Sequence, residues 1–307
     1  MSIKLTILGC HSATPRKDAH PTSQILEIQD RMFLIDCGEG TQVQLRKYKV
    51  PFPKIRHIFI SHLHGDHFYG LIGLISTFGL LNREHDLHIY GPKGIKEVIL
   101  LQLKLSKSWT KFDIYFHELE SKESELIYED KKVAVYTIPL DHRVYTNGFL
   151  FKEKKGEYRL NMDAIHQNPS IQICDYHNLK KGKDFVEEDG KTTIKNSKLT
   201  FPPKKTLSYA FCSDTAFKPD IVPLLKECDL LYHEATFLED KKALTARTKH
   251  ATAIEAATIA KMAAVTQLIL GHYSSRYDNL NLFKEEANTV FDNVALAAAG
   301  KIFEIKS

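Results

Sequence analysis

The sequence predicts a layered α/β domain with helices on the outer faces of its sheets. Two observations carry this prediction. Short apolar runs rich in β-branched residues alternate with segments of helical periodicity over most of the chain, and acidic and imidazole side chains recur where the predicted strands end. The 307-residue chain has 43% hydrophobic and 26% charged residues, a composition typical of a globular protein with a sizeable core.

The first half begins with three predicted strands, after which helices and strands alternate. The strands KLTILG, SQILEIQ and MFLIDCG are separated by turn residues, as in a meander. We predict a helix at TQVQLRKY, a buried strand at KIRHIFIS, a long apolar helix at FYGLIGLISTFGLL and a strand at LHIYGP. Gly94 marks the start of a helix over GIKEVILLQLKLS, and VAVYTIPL alternates as a strand that ends at Asp141 and His142.

Residues 152–205 differ from the rest of the chain in composition. Lys, Glu, Asp, Asn and Gly dominate, and apolar periodicity is weak, so we predict a flexible arm inserted into a single domain over residues 1–307. A disordered linker is the alternative. Some local structure is indicated by five apolar or aromatic residues, namely Ile171, Ile173, Tyr176, Leu179 and Phe185.

The second half resumes the alternation of strands and helices. LSYAFCSD predicts a strand that ends at Asp214, CDLLYHEA a strand that ends at His233 and Glu234, and QLILGHY a strand that ends at His272. The Ala-rich run TAIEAATIAKMAAV predicts a helix. A second helix is predicted over LFKEEANTVFDNVALAAAG with Gly300 just past its end, and KIFEI is predicted as the last strand.

Charge, cysteine content and hydropathy indicate the partners and the compartment to expect for this protein. The formal charge of +4 permits a nucleic-acid partner without requiring one. The five cysteines are widely spaced and form no C-x-x-C, which favours a reducing compartment over a disulfide framework. The N-terminus is too short and too alternating for a signal peptide, and no apolar stretch approaches the roughly 18 residues of a membrane span. We therefore expect a cytoplasmic protein.

Residues 61–67, SHLHGDH, are the densest group of potential metal ligands in the sequence. The segment places three histidines and one aspartate within six residues, directly after a predicted buried strand. Neutral imidazole nitrogens and carboxylate oxygens suit zinc and related divalent ions. His62 and His64 can point the same way toward one ion, while Asp66 and His67 can face a second one.

The remaining ligands are expected from other strand ends. Each ion requires about four or five ligands, so the SHLHGDH loop cannot complete either site alone. Sites in layered α/β proteins gather beyond strand ends, which is where His142, Asp214 and His272 lie. Asp214 is the natural bridge, because one carboxylate has two oxygens and can ligate both ions.

Seven segments together resemble a known family. SHLHGDH resembles the signature of the metallo-β-lactamase superfamily, a four-layered αββα sandwich that binds two metal ions. Six further segments resemble, in the same order, the motifs of ribonuclease Z, the tRNA 3′-processing endonuclease: IDCGEGTQ (35–42), DHRVYTNGF (141–149), FCSDT (211–215), YHEATF (232–237), KHATAIEAA (249–257) and GHYSSRY (271–277). The resemblance covers essentially the whole chain and implies a metallo-β-lactamase-like αββα sandwich with an inserted protruding arm.

The resemblance also implies roles for nine site residues. It places His62, His64 and His142 on one zinc ion and Asp66, His67 and His272 on the other, with Asp214 between the two. Asp66 is expected to be catalytic as well. Glu234 and His250 match the pair that the family places beside the scissile phosphate, and a carboxylate beside an imidazole raises the basicity of that imidazole.

The activity implied is removal of the 3′ trailer from precursor tRNA. A water that bridges two zinc ions per subunit is expected to have its pKa lowered toward about 7. The hydroxide formed from it attacks the phosphorus in line. His250, supported by Glu234, then protonates the departing 3′ oxygen. The tRNA keeps a 3′-hydroxyl and the trailer a 5′-phosphate.

The predicted RNA contacts lie in an N-terminal loop and in the arm. The family's loop carries a P-x-K-x-R-N pattern, of which TPRKDAH (14–20) keeps Pro15 and Lys17 but has Ala19 and His20 in place of Arg and Asn. The arm lacks the family's glycine-proline segment, although Lys180, Lys181 and Lys183 suit phosphate contacts. The resemblance further implies a homodimer in which the arm of one subunit clamps tRNA for the site of the other.

Two other functions remain open at this stage. One is a small-molecule hydrolase on the same di-metal scaffold, such as a phosphodiesterase or an aryl- or lactone-cleaving enzyme, because a fold does not fix a function. The other is a tRNA-binding protein with a decayed site, although all seven ligand types are present.

Overall fold

The computed structural model describes residues 2–187 and 189–306. These residues form two compact units, the first from residues 2–152 and 207–306 and the second from residues 153–206. Within the described ranges, no helix combines the length and the apolar character that are needed to cross a membrane.

Strands and helices alternate along the described chain. The strands are β1 (Ser2–Gly9), β2 (Ser23–Ile28), β3 (Arg31–Cys37), β4 (Ile55–Phe59), β5 (Leu87–Pro92), β6 (Ile114–Leu119), β7 (Leu126–Glu129), β8 (Val133–Pro139), β9 (Asn147–Glu153), β10 (Arg159–Leu160), β11 (Phe185–Val186), β12 (Thr193–Ile194), β13 (Thr200–Phe201), β14 (Ser208–Cys212), β15 (Leu230–Glu234), β16 (Gln267–Gly271), β17 (Val294–Leu296) and β18 (Ile302–Lys306). The α-helices are α1 (Thr41–Lys47), α2 (Gly65–Phe68), α3 (Gly70–Leu80), α4 (Ile95–Leu105), α5 (Met162–His166), α6 (Tyr176–Lys180), α7 (Asn196–Leu199), α8 (Val222–Leu225), α9 (Lys242–Thr248), α10 (Ala253–Met262) and α11 (Asn281–Ala287).

Two seven-stranded sheets form the centre of the first unit. The first sheet has the order β18-β1-β2-β3-β4-β5-β6 and the second the order β17-β16-β15-β14-β9-β8-β7. Strands β3 to β6 run parallel to one another in the first sheet, as do β14 to β17 in the second. Parallel strands end at the same edge of a sheet, so residues that follow them in sequence lie close together.

The sheets pack face to face and carry helices on their outer sides. The rings of Phe59 and Phe149, from different sheets, have centroids 5.4 Å apart, and those of Phe33 and Phe151 lie 5.3 Å apart. Alternate residues of the first sheet face the opposite side, where they form a second core with α1, α3 and α4. Apolar residues of α10 and α11 pack with the second sheet. The predicted four-layered αββα sandwich is confirmed.

One predicted helix is much shorter than expected. The segment LFKEEANTVFDNVALAAAG was predicted as one helix, but α11 ends at Ala287 and residues Val294–Leu296 form strand β17. Val294 pairs with Leu268 of β16, where its side chain is buried. The free energy gained by completing the sheet edge and burying Val294 outweighs the helix propensity of the alanines.

The second unit has a small apolar core of its own. Its buried members are Ile165, Ile171, Leu179, Phe185 and Leu199. Three of the five residues that indicated local structure therefore lie in this core, whereas the side chain of Ile173 is exposed. The described part of the unit holds the short strand pairs β10–β13 and β11–β12, a degree of order that the polar composition alone does not predict.

Candidate metal centre

The predicted ligands meet beyond the ends of strands from both sheets. In the first sheet, β4 ends at Phe59 and is followed by the SHLHGDH loop, which leads into α2. In the second sheet, Asp214 follows β14, Glu234 ends β15 and His272 follows β16. His272 adopts a left-handed backbone conformation with φ of 62°, which is costly for a residue other than glycine and is found mainly at functional sites.

Four ligand atoms form a first group. It consists of His62, His64, His142 and Asp214, whose ligand atoms all lie within 4.8 Å of one another. His64 Nδ1 is 3.1 Å from His62 Nε2 and 3.3 Å from His142 Nε2. These three nitrogens and an oxygen of Asp214 are close enough to one another that one cation could contact all four.

A second group lies beside the first. It consists of Asp66, His67 and His272. Asp66 Oδ2 is 3.3 Å from His67 Nε2 and 3.4 Å from His272 Nε2. All three side chains are almost completely buried.

Asp214 lies between the two groups and directs one oxygen to each. Its Oδ2 is 3.5 Å from His62 Nε2 and 3.7 Å from His142 Nε2. Its Oδ1 is 3.4 Å from His67 Nε2 and 3.2 Å from His272 Nε2. The carboxylate therefore has the geometry of a bridge between two cations.

The buried Glu234 and the partly buried His250 form a pair at the edge of this cluster. His250 Nδ1 donates to Glu234 Oε1 over 2.9 Å. Burial lowers the pKa of His250, but the carboxylates of Glu234 and Asp214 outweigh burial and raise that pKa to about 9. Burial raises the pKa of Glu234, and the neighbouring His250 reverses this effect and leaves the pKa below its usual value. The pair can thus hold a proton beside the cluster.

Comparison with known proteins shows which family the chain resembles over most of its length. A family model described as anti-Pycsar protein Apyc1 matches residues 3–177, a range that includes the SHLHGDH loop and His142 but ends before Asp214. Ribonuclease Z of Bacteroides fragilis is 45% identical over 294 residues, which cover 96% of this chain and 96% of that protein.

The chain belongs to the ribonuclease Z family.

Similarity to solved structures shows that this member of the ribonuclease Z family has the metallo-β-lactamase fold. The short form of human tRNase Z is 26% identical, with a TM-score of 0.71 and 98% of both chains covered. YhfI of Bacillus subtilis, described as a metallo-β-lactamase fold protein, is 20% identical with a TM-score of 0.69 and 99% of both chains covered. The second similarity supports the fold alone.

The electrostatics of this ribonuclease Z family site favour a bound cation. Burial opposes protonation of His67, yet Asp214, Asp66 and Asp36 outweigh burial and raise the pKa of His67 well above its usual value. Within the described residues, the buried His67 Nε2 also has no hydrogen-bond partner. A metal ion at this atom supplies the missing partner and balances the carboxylates, so the residues present fit a metal ion.

Hydrogen bonds donated by Nδ1 orient most of the site histidines. His142 Nδ1 donates to the Lys249 carbonyl over 2.8 Å, and His67 Nδ1 donates to Asp36 Oδ2 over 2.7 Å. Such bonds leave Nε2 with a lone pair for a metal. His64 differs, because its Nδ1 is the nitrogen that faces the cluster.

Asp36 is a site residue that the sequence prediction missed. It is fully buried, and it accepts hydrogen bonds from the Ser61 backbone N–H and hydroxyl as well as from His67. It therefore holds both ends of the SHLHGDH loop to β3. A signal was available, since Asp36 lies near the end of a predicted strand, in the segment IDCGEGTQ, like the other acidic site residues.

The cluster opens into a cavity of about 910 Å³, large enough for a nucleotide. Pro15, Ala19 and His20 of the predicted RNA-contact loop line it, together with Arg143 and Arg276. Lys17 is exposed on that loop but is not among the lining residues. The side chains predicted to contact RNA from the arm, Lys180, Lys181 and Lys183, are exposed on the second unit.

Proposed function

We propose that the protein is a zinc-dependent endoribonuclease that removes the 3′ trailer from precursor tRNA and leaves a 3′-hydroxyl on the tRNA and a 5′-phosphate on the trailer. The observation that carries this proposal is the position of Asp214, with one oxygen toward each of two ligand groups. Membership in the ribonuclease Z family supports the choice of tRNA as the substrate.

Two zinc ions per subunit are the cofactor that we propose. The residues that would hold one ion are His62, His64 and His142, those for the other are Asp66, His67 and His272, and Asp214 would serve both. Such a set of imidazoles and carboxylates suits zinc. When bound, the ions supply a water whose pKa is lowered toward about 7 and positive charge for the phosphate oxygens.

The chain's own residues position the reactants and move protons. Asp66 lines the cavity, where its carboxylate can accept a hydrogen bond from the attacking water and orient it. His250 lines the same cavity and carries the proton for the departing 3′ oxygen. Glu234 accepts from His250 Nδ1 and so directs Nε2 toward the substrate.

We further propose that Lys180, Lys181 and Lys183 bind the phosphates of tRNA, with Lys17 near the cleaved end. No ion pair within the described chain involves the three arm lysines, so their charges are available to phosphate. We also propose that the protein is cytoplasmic, which is consistent with this substrate.

Replacing all three arm lysines with alanine is expected to raise the KM for precursor tRNA while kcat stays within about twofold. Removing one lysine–phosphate interaction lowers the slope of log KM against log salt by about one, so the slope should fall by up to about three. Steady-state kinetics at several salt concentrations measure both quantities. The matched control is K54A/K96A/K104A, which removes the same charge from exposed lysines of the first unit. Equal effects in the two variants would refute a specific role of the arm lysines.

An exposed apolar surface supports the proposal of a homodimer. Helices α3 and α4 connect consecutive parallel strands and so run in the same direction, which places their C-terminal ends at one edge of the sheet. At that edge Leu80 is 82% exposed, Leu105 is 73% exposed and Trp109 is 83% exposed. Exposed large apolar side chains at one edge of a protein suit an interface with a second copy of the chain. In this dimer the arm of one subunit would clamp tRNA for the site of its partner.

The double substitution L80E/L105E is expected to convert a dimer into monomers, because it places two charges in the centre of the proposed apolar interface. Sedimentation velocity measures the change. L126E is the control, since Leu126 is an exposed leucine on β7. A wild-type protein that sediments as a monomer at micromolar concentration would exclude the dimer.

A small-molecule hydrolase on the same metal centre is the second candidate function. The cavity of about 910 Å³ can hold a small phosphodiester as well as a nucleotide of a longer chain. Deletion of residues 155–203 separates the two functions. Lys152 of β9 pairs directly with Ser208 of β14, so a short turn can reconnect these antiparallel strands. The deletion is expected to abolish precursor-tRNA cleavage and to spare hydrolysis of a small activated phosphodiester. Equal loss of both activities, with the fold intact, favours the small-molecule function.

The direct test of the proposed function is cleavage of a 3′-extended tRNA transcript. The purified protein is expected to cut next to the discriminator nucleotide, to leave a 3′-hydroxyl there, and to stop when a chelator is added. An untouched transcript beside rapid hydrolysis of a generic ester would overturn the proposal.

A further inference from the structure

A buried hydroxyl connects the proposed metal centre to the Glu234–His250 pair. Thr236 Oγ1 lies 2.7 Å from Glu234 Oε2 and 2.8 Å from His272 Nδ1. Thr236 is 4% exposed, and both of its partners are equally inaccessible to water. Glu234 ends β15, Thr236 lies two residues beyond it, and His272 directly follows the adjacent strand β16.

The chemistry of the three groups fixes the direction of these hydrogen bonds. An ionised carboxylate only accepts, so the single hydroxyl proton of Thr236 is donated to Glu234. The Thr236 oxygen must then accept from His272 Nδ1–H. This places the lone pair of His272 on Nε2, the nitrogen that lies 3.2 Å from Asp214 Oδ1.

Glu234 is thereby saturated with donors. Its Oε1 accepts from His250 Nδ1 and from the Thr215 backbone N–H, at 2.9 and 3.0 Å. Its Oε2 accepts from the Thr236 backbone N–H and from the Thr236 hydroxyl, at 2.9 and 2.7 Å. One buried carboxylate therefore orients His250 directly and His272 through Thr236.

The opposite side of the site repeats this arrangement. Ser61 Oγ donates to Asp36 Oδ2 over 2.9 Å and lies 3.0 Å from His62 Nδ1. A hydroxyl between a carboxylate and an imidazole thus lies just beyond the end of β4 in the first sheet and of β15 in the second, beside one proposed ligand of each ion. Incidental packing of a threonine does not account for the repeated pattern.

We propose that Thr236 is a positioning residue that fixes the tautomer and orientation of His272 for the second metal ion and couples that ion's ligand to the proton-carrying pair. The proposal rests on the proposed metal centre. It predicts that loss of the hydroxyl weakens one ion selectively, because only the group of Asp66, His67 and His272 contains its partner.

The test compares T236V, which removes the hydroxyl at nearly constant volume, with T236S, which keeps it. Zinc binding to each metal-free protein is measured by competition with a chromophoric chelator, in the absence of RNA. T236V is expected to bind its first ion like wild type and its second about 10- to 100-fold more weakly. T236S is expected to stay within about threefold of wild type for both ions.

A control substitution, and measurement of zinc binding before tRNA cleavage, distinguish failure of this inference from failure of the proposed function. T6V alters a threonine of β1 that is 6% exposed and whose hydroxyl makes no hydrogen bond within the described chain, and it should change neither ion. Unchanged binding of the second ion by T236V, or equal weakening by T236S, overturns the inference. Wild-type protein that binds fewer than two ions refutes the proposed metal centre itself, and a metal-loaded wild type that leaves tRNA intact refutes only the proposed substrate.

Discussion

Asp214→Asn is expected to lower kcat for precursor-tRNA cleavage by about a thousandfold or more and to leave at most one zinc ion bound per chain. The amide keeps the size of the carboxylate, but it loses the negative charge and replaces one oxygen donor with an NH₂ group that cannot ligate a metal. Metal ions stabilise transition-state charge by several kcal/mol, and each 1.36 kcal/mol corresponds to a factor of about ten in rate. Single-turnover kinetics and elemental analysis of the same preparation measure both effects.

Asp229→Asn is the matched control for this substitution. Asp229 is also a buried carboxylate of the first unit, and it accepts from the Ser208 backbone N–H and hydroxyl instead of imidazoles. We expect D229N to retain two zinc ions. A D214N variant that binds both ions at wild-type affinity would show that Asp214 does not bridge them.

His250→Ala is expected to lower kcat by about 10²- to 10⁴-fold with little change in KM, because general acid catalysis is typically worth that much. The sharper result concerns the leaving group. A sulfur in place of the 3′ oxygen at the cleaved bond departs without protonation, so H250A should cut a 3′-phosphorothiolate substrate nearly as fast as wild type does. Single-turnover rates with the two substrates measure this rescue.

The alternative to be tested is that His250 ligates a metal. Its ring nitrogen lies within 4.8 Å of ligand atoms of Asp214 and His272, so geometry alone permits this role. A general acid predicts that H250A keeps both ions, whereas a ligand predicts loss of one ion and no rescue by sulfur. His85→Ala is the control, because it removes an exposed histidine that is distant in sequence from His250. It should change neither the number of bound ions nor the rate of cleavage.

Much of the candidate site was predictable because its metal-ligating side chain types stand where predicted strands end. His142, Asp214 and His272 each follow an apolar run, and the parallel strands β14 to β16 bring Asp214 and His272 to one edge of the second sheet. The two-group arrangement was predictable as well, since the SHLHGDH loop is too short to complete either site. In the structure, the side chains predicted as ligands lie in two groups, each of which could hold a metal ion.

The hydrogen bonds that orient the proposed ligands were not predictable from the local sequence pattern. Asp36 reaches His67 across 31 positions and Thr236 reaches His272 across 36, and no periodicity encodes which hydroxyl or carboxylate faces which imidazole. The helix predicted over residues 282–299 was wrong for a related reason. The chain from Val294 to Leu296 is strand only because β16 offers an unpaired edge, which is a property of the assembled sheet.

The central claim is that seven side chains of one chain bind two cations. Anomalous X-ray diffraction at the zinc absorption edge, from crystals of the zinc-loaded protein, tests it directly. We expect two peaks per chain, one beside His62, His64 and His142 and one beside Asp66, His67 and His272, each about 2.0–2.2 Å from a different oxygen of Asp214. A single peak, or Asp214 turned away from both peaks, would contradict the account.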